Sequence, residues 1–180
     1  MPLLRKQMCT IDDIYNLPDG TRAELIDGQM YMMAPPSRIH QEILMQLSTT
    51  INSHIKANGG TCKVYPAPFA VFLNDDNTTY VEPDISVICT SDKLNDKGCV
   101  GAPDWIIEIT SPGNTSHDYI KKLNLYADAN VREYWIVNPI KKSIVVYNME
   151  NDSTPIIYTF NDKVKVNIFE SLTIDFNEII

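Results

Sequence analysis

Nowhere in the 180 residues does an apolar run reach the roughly 18–20 residues that a membrane-spanning helix needs. The opening stretch MPLLRKQMCT has no apolar segment ahead of a small-residue cleavage site, so nothing in it suggests secretion, and a cytoplasmic protein is expected. The four cysteines, Cys9, Cys62, Cys89 and Cys99, are widely scattered and form no C-x-x-C pair. That spacing argues against a zinc site and for reduced structural thiols. Positive charge is scarce as well. Fifteen Lys and Arg against 23 Asp and Glu leave a formal net charge of −8, the reverse of the basic surface with which proteins coat nucleic acid. An enzyme that touches nucleic acid over a short local patch is still compatible with this balance. There is no internal repeat, low-complexity tract or linker.

With 44% apolar and 21% charged residues the chain has the composition of an ordinary globular protein, and its length suffices for one domain, 1–180, with its own core. Thr10 or Asp12 can cap a short helix, IDDIYNL, that stops at Pro18. AELIDGQMYMMAP reads as a hairpin turning at Asp27-Gly28. From Ser37 a long helix is expected, with Ile39, Ile43, Leu44, Leu47, Ile51 and Ile55 on one face, closing at Asn58-Gly59-Gly60. Short strands TCKVY, FAVFL and DISVIC follow, then a helical turn around SDKLND and the strand WIIEIT. A second helix spans Thr115 to Ala127 with Tyr119, Ile120, Leu123, Tyr126 and Ala127 inward, and further strands start at EYWIVNP. The expected fold class is α/β (α+β mixed): a mixed central sheet flanked by two main helices, with added terminal strands.

One residue disturbs this apolar pattern. Glu108 stands among Ile106, Ile107 and Ile109, and an ionised carboxylate in a buried strand costs several kcal/mol unless it is paired or binds a metal. Side chains alternate along a strand, so Glu108 shares a face with Asp104, Ile106 and Thr110. In EPDISVIC, Asp84 shares a face with Ser86 and Ile88, and Pro83, which donates no hydrogen bond, suits the strand's start. If the two strands pair, Asp84 and Glu108 face one cleft. Paired carboxylates are a common way to hold Mg²⁺ or a similar hard cation, which polarises phosphoryl oxygens and activates water. A cation for the developing charge could come from HDYIKKLNLY, where Lys122 and Lys121 lie beside Asp118; as a bare pattern, Asp118 and Lys122 are also an ordinary exposed i,i+4 pair.

E-P-D-I at 82–85, W-I-I-E-I-T-S-P at 105–112, D-Y-I-K-K-L-N-L-Y at 118–126 and V-R-E-Y-W-I-V-N-P at 131–139 resemble the Uma-type family, a branch of the PD-(D/E)XK restriction-endonuclease-like superfamily. A-E-L-I-D-G-Q-M-Y-M-M-A-P-P-S and the following His40-Gln41 match its opening pattern, so the resemblance runs from about residue 10 to 178. It implies a restriction-endonuclease-like core and a metal-dependent endonuclease that hydrolyses phosphodiester bonds, with DNA as the expected nucleic acid and Mg²⁺ or Mn²⁺ as cofactor. Asp84 matches the aspartate of the PD motif and Glu108 the acid of the (D/E)XK strand, with the carbonyl of Ile109 a candidate third metal ligand. The superfamily's lysine is missing from its usual place, held here by Thr110; Lys122 matches best on the following helix, and Lys121 is the nearer alternative. Glu24 has two readings, an outer ligand or base-orienting group and a partner of an arginine such as Arg22. His40 and Gln41, with Lys121 and Asp118, are the remaining cleft candidates. The resemblance also suggests a homodimer. The rival reading is a catalytically silent module that keeps the fold for binding or assembly, which the acidic surface favours.

Overall fold

The computed structural model describes residues 8–111, 116–151 and 154–180, with residues 116–118 described by backbone alone. A short helix, α1 (Ile11–Tyr15), precedes the hairpin β1 (Ala23–Ile26) and β2 (Gln29–Met32). Asp27 and Gly28 both take positive φ, 50° and 72°, the requirement of a two-residue type I′ turn. Ser37 then caps α2 (Arg38–Ala57), its hydroxyl accepting from the His40 amide at 3.3 Å, and Gly59 (φ 65°) lets the chain leave the helix. The strands β3 (Lys63–Pro66), β4 (Val71–Phe72), β5 (Ile85–Ile88), β6 (Leu94–Asn95), β7 (Gly98–Val100) and β8 (Trp105–Ile109) lead to α3 (Ser116–Asp128). After it come β9 (Glu133–Asn138), β10 (Ser143–Asn148), β11 (Ile156–Thr159), β12 (Lys163–Lys165) and β13 (Thr173–Asp175).

Six strands form the central sheet in the order β11-β10-β9-β8-β5-β3. Only the β8–β9 pair is parallel, joined through α3, so the sheet is mixed and the fold is of the α+β kind. The strict alternation of β8 divides its apolar residues between two layers. Trp105, Ile107 and Ile109 pack with Ile43, Leu47, Ile51 and Ile55 of α2, where Trp135 meets Trp105 edge-on at 4.8 Å. Burial of each such aliphatic side chain contributes about 2 kcal/mol. Ile106 faces the other way, toward Tyr134, Ile136 and Tyr126 on the α3 side. Glu133 opens β9 fully buried, accepting from Trp135 Nε1 at 2.7 Å and from the amides of Asn167 and Ile168, each at 2.9 Å. It fastens the C-terminal segment to the sheet.

Three features depart from the sequence expectation. Ile120, expected inward on α3, is 58% exposed, and Ala127 is exposed as well. The helix is turned so that Lys122 and Tyr126 face the sheet, which rotates both residues out. The segment around SDKLND carries more than a helical turn: β6 and β7 join β4 in a small separate sheet. Finally, Cys62 and Cys89 are joined by a disulfide where reduced thiols were expected, while Cys9 and Cys99 are free. The register Lys63↔Ile88 sets Cys62 directly across from Cys89, with Cα atoms 3.9 Å apart. Sequence separation of 27 residues concealed that pairing. Among the described residues no helix is long and apolar enough to cross a membrane.

Candidate active site

The register of β5 on β8 pairs Ile85 with Ile107, so Asp84, just ahead of β5, falls opposite Glu108. Directly opposed side chains in an antiparallel pair have Cβ atoms about 5 Å apart. Two carboxylates at that spacing need compensating partners, and each has them. Asp84 Oδ2 accepts from the Ile109 amide at 2.7 Å and meets His40 Nε2 at 3.1 Å. Glu108 Oε1 accepts from Lys122 Nζ at 2.8 Å and from the Tyr126 hydroxyl at 2.7 Å. Lys122 also reaches Glu24, 2.8 Å from Oε2, so its ammonium bridges a strand of the hairpin and a strand of the sheet.

The residues named from the sequence separate into two sets. Glu24, His40, Asp84, Glu108 and Lys122 converge. Lys121 does not: successive helical residues point about 100° apart, and its Nζ lies 2.7 Å from the Tyr31 hydroxyl on β2. Gln41 is exposed on α2, and the side chain of Asp118 lies outside the described residues. Glu24 is not the partner of Arg22. Arg22 pairs with Glu82 at 2.5 Å, while Tyr80 donates to the other oxygen of Glu82 at 2.7 Å. Glu24 instead accepts from the Glu82 amide at 3.1 Å, which fixes it toward Lys122. Tyr126 is core, as its spacing predicts, and its hydroxyl, which the apolar spacing does not reveal, donates to Glu108. The available signal was its i,i+4 relation to Lys122, which places both polar ends over one carboxylate.

Burial is the largest influence on these groups. It pushes the Glu108 carboxyl up to about 7, with Asp84 and Glu24 adding and Lys122 opposing. Burial alone would lower the Lys122 ammonium, but Glu108 and Glu24 more than reverse this and hold it well above the ordinary lysine range. His40 follows the same pattern. Burial works against its charged form, and the contact with Asp84, with Glu108 and the Ile109 backbone beyond, raises it above the usual histidine value.

Among the described residues no three His, Cys, Asp or Glu side chains form a metal cage. A hard cation does not require one, since one or two carboxylates with water and phosphate oxygens suffice. The tethering is selective in a way that fits such an ion. Among the described residues no donor reaches Asp84 Oδ1 or Glu108 Oε2, so within that set each carboxylate keeps one oxygen uncommitted.

Residues 10–177 match the family model Uma2, described as "Putative restriction endonuclease". The chain belongs to this family. Uma2 membership covers the hairpin, both main helices, the whole central sheet and every residue that converges on Glu108. A curated relative, "Uncharacterized protein slr1290" of Synechocystis sp., is 28% identical over 147 residues, which span 79% of this chain and 75% of that protein. Among solved structures, a "putative nuclease belonging to DUF820" from Anabaena variabilis superposes with a TM-score of 0.77. It is 22% identical, and the match covers 94% of this chain and 96% of the other. That likeness gives the Uma2 chain a fold already seen by experiment.

Proposed function

We propose that the protein is a divalent-metal-dependent endonuclease that hydrolyses phosphodiester bonds of DNA. The observation that carries this reading is the opposed pair Asp84 and Glu108, each tethered through one oxygen and, among the described residues, uncommitted at the other. Asp84 Oδ1, Glu108 Oε2 and the Ile109 carbonyl would hold Mg²⁺ or Mn²⁺. Such an ion, when bound, supplies Lewis acidity toward the phosphoryl oxygens and makes bound water a better nucleophile.

The chain's own residues do the rest. His40 and the Ile109 amide keep Asp84 from rotating; Lys122 and Tyr126 do the same for Glu108. With a substrate in place, the Lys122 ammonium orients the attacking water and offsets the negative charge that accumulates on the phosphate in the transition state. Glu24 positions that ammonium. A lysine works from α3 as well as from β8, because what matters is where the point charge sits and not which element delivers it. The acidic surface overall then leaves substrate contact to a local patch around Lys122. A homodimer belongs to the same reading, since paired sites would let one assembly act on both strands of a duplex, and light scattering in solution checks it.

Incubation with plasmid DNA and Mg²⁺ or Mn²⁺ tests the proposal. Nicking is expected in the wild type and should vanish in Asp84→Ala and Glu108→Ala; nicking that persists in both would remove these residues from the chemistry. The rival, a silent binding module, predicts no Mn²⁺ uptake by calorimetry in the wild type.

A further inference from the structure

The hairpin that supplies Glu24 has a second use. Cross-strand pairs share a face, and the register here is Glu24↔Tyr31 and Ile26↔Gln29, so all four side chains lie on the face toward α3. The first row belongs to the candidate active site through Glu24. The second row, one helical turn farther along α3, borders a cavity of about 320 Å³. Two residues along a strand is roughly 7 Å and one helical turn is about 5.4 Å. A stacked nucleic-acid strand advances about 3.4 Å per nucleotide. The cavity's second row therefore lies about 5–7 Å beyond the row of Glu24 and Lys122, within one to two nucleotides of it.

Its chemistry suits a base. Ile26 and Leu125 supply its apolar lining, and Gln29, Asn74 and Asn124 line it with amides. Lys121, tied to the Tyr31 hydroxyl at 2.7 Å, is the one lysine among the described residues that line the cavity. Asp27 and Asp128 complete it, and two carboxylates repel a run of phosphates while accepting well from an exocyclic amino group. A concave site receives an unstacked base; reading a base inside a duplex calls for an element that protrudes into a groove.

We infer that this cavity binds one unstacked, amino-bearing base (adenine, cytosine or guanine, but not thymine) of the nucleotide flanking the scissile phosphate, with Lys121 contacting the phosphate that joins this nucleotide to the next. The inference rests on the nuclease reading for the meaning of "scissile" but not for the binding itself. Asn124 and Gln29 act here as specificity residues, and Lys121 acts in substrate binding, separate from the role of Lys122.

The test uses the full chain in EDTA, so that no cleavage occurs. Fluorescence anisotropy would follow labelled single-stranded oligo(dA), oligo(dC) and oligo(dT), with a blunt duplex as reference. Oligo(dA) or oligo(dC) should bind roughly five- to tenfold more tightly than oligo(dT), and more tightly than the duplex. Asn124→Trp, at an exposed helical position, should fill the cavity and abolish the preference; Gln29→Ala should reduce it. Mn²⁺ uptake by either variant should match the wild type. Equal affinity for all three homopolymers, or a preference that survives both substitutions, overturns the inference. Failure of the nuclease reading shows separately, as absence of metal-dependent nicking.

Discussion

Replacing Lys122 by methionine keeps the length of the side chain and removes its charge from between Glu24 and Glu108. Both contacts are 2.8 Å, and both carboxylates are at most 9% exposed. Removing one partner of a buried ion pair typically costs about 3–5 kcal/mol, a large part of an ordinary folding stability. The pH dependence is more diagnostic than the size. Unfolded wild type and variant take up the same protons, apart from that of Lys122, which stays on in both states of the wild type at neutral pH. The change in the stability difference with pH therefore comes from the folded states. In the wild type Glu108 loses its proton near pH 7, helped by Lys122. Without that ammonium Glu108 holds its proton to higher pH, so above about pH 7 the folded variant carries one proton more. The stability gap should then widen with rising pH by about 1.4 kcal/mol per unit, and it should be nearly flat between pH 5.5 and 6.5. Urea denaturation in EDTA at a series of pH values, followed by the fluorescence of the buried Trp105 and Trp135, measures it. A gap below about 1 kcal/mol at pH 8, or one that does not change between pH 6 and 8, would refute the view of Lys122 as the counter-charge of Glu108.

On the proposed assignment Mn²⁺ would compete with a proton on Glu108, and its affinity should climb up to about tenfold per pH unit below pH 7 and level off above it, as calorimetry at fixed ionic strength would show. His40→Ala and Tyr126→Phe each remove one of the two donors that hold Asp84 Oδ2 and Glu108 Oε1, respectively, and on the proposed assignment metal affinity should fall about 10- to 100-fold in both. His40→Gln, which retains a donor, should recover part of the loss. Glu133→Ala should destabilise the fold by about 3 kcal/mol or more, since it leaves the Asn167 and Ile168 amides and Trp135 Nε1 without their acceptor. Thermal denaturation checks this, and Mn²⁺ binding by the folded variant should be unchanged because Glu133 touches none of the convergent residues.

Much of this arrangement follows from local rules. The period-two pattern around Glu108 and Asp84 fixes which faces they share, and Pro83 stands two residues ahead of β5. Asp27-Gly28 and Asn58-Gly59 place the turns through backbone conformations that few residues adopt. The rest depends on contacts between residues far apart in the chain. Lys122 and Lys121 look alike in sequence, and only the rotation of α3 against the hairpin decides that one meets Glu108 and the other Tyr31. The Arg22–Glu82 pair spans 60 residues, and it is what leaves Glu24 available to Lys122. The disulfide is hidden for the same reason, since the register that opposes Cys62 and Cys89 is a property of two strands and not of either alone.

The opposition of Asp84 and Glu108 across β5 and β8 also ties the site to parity. The connection from 89 to 104, with its small added sheet, can grow or shrink without moving either carboxylate. An insertion of one residue within β5 or β8 is different: every side chain beyond it changes face, and one acid would point into the α2 layer while the other stayed behind. Length is free between the two strands, but an odd count inside them is not, so natural variation in this region should concentrate in the connection.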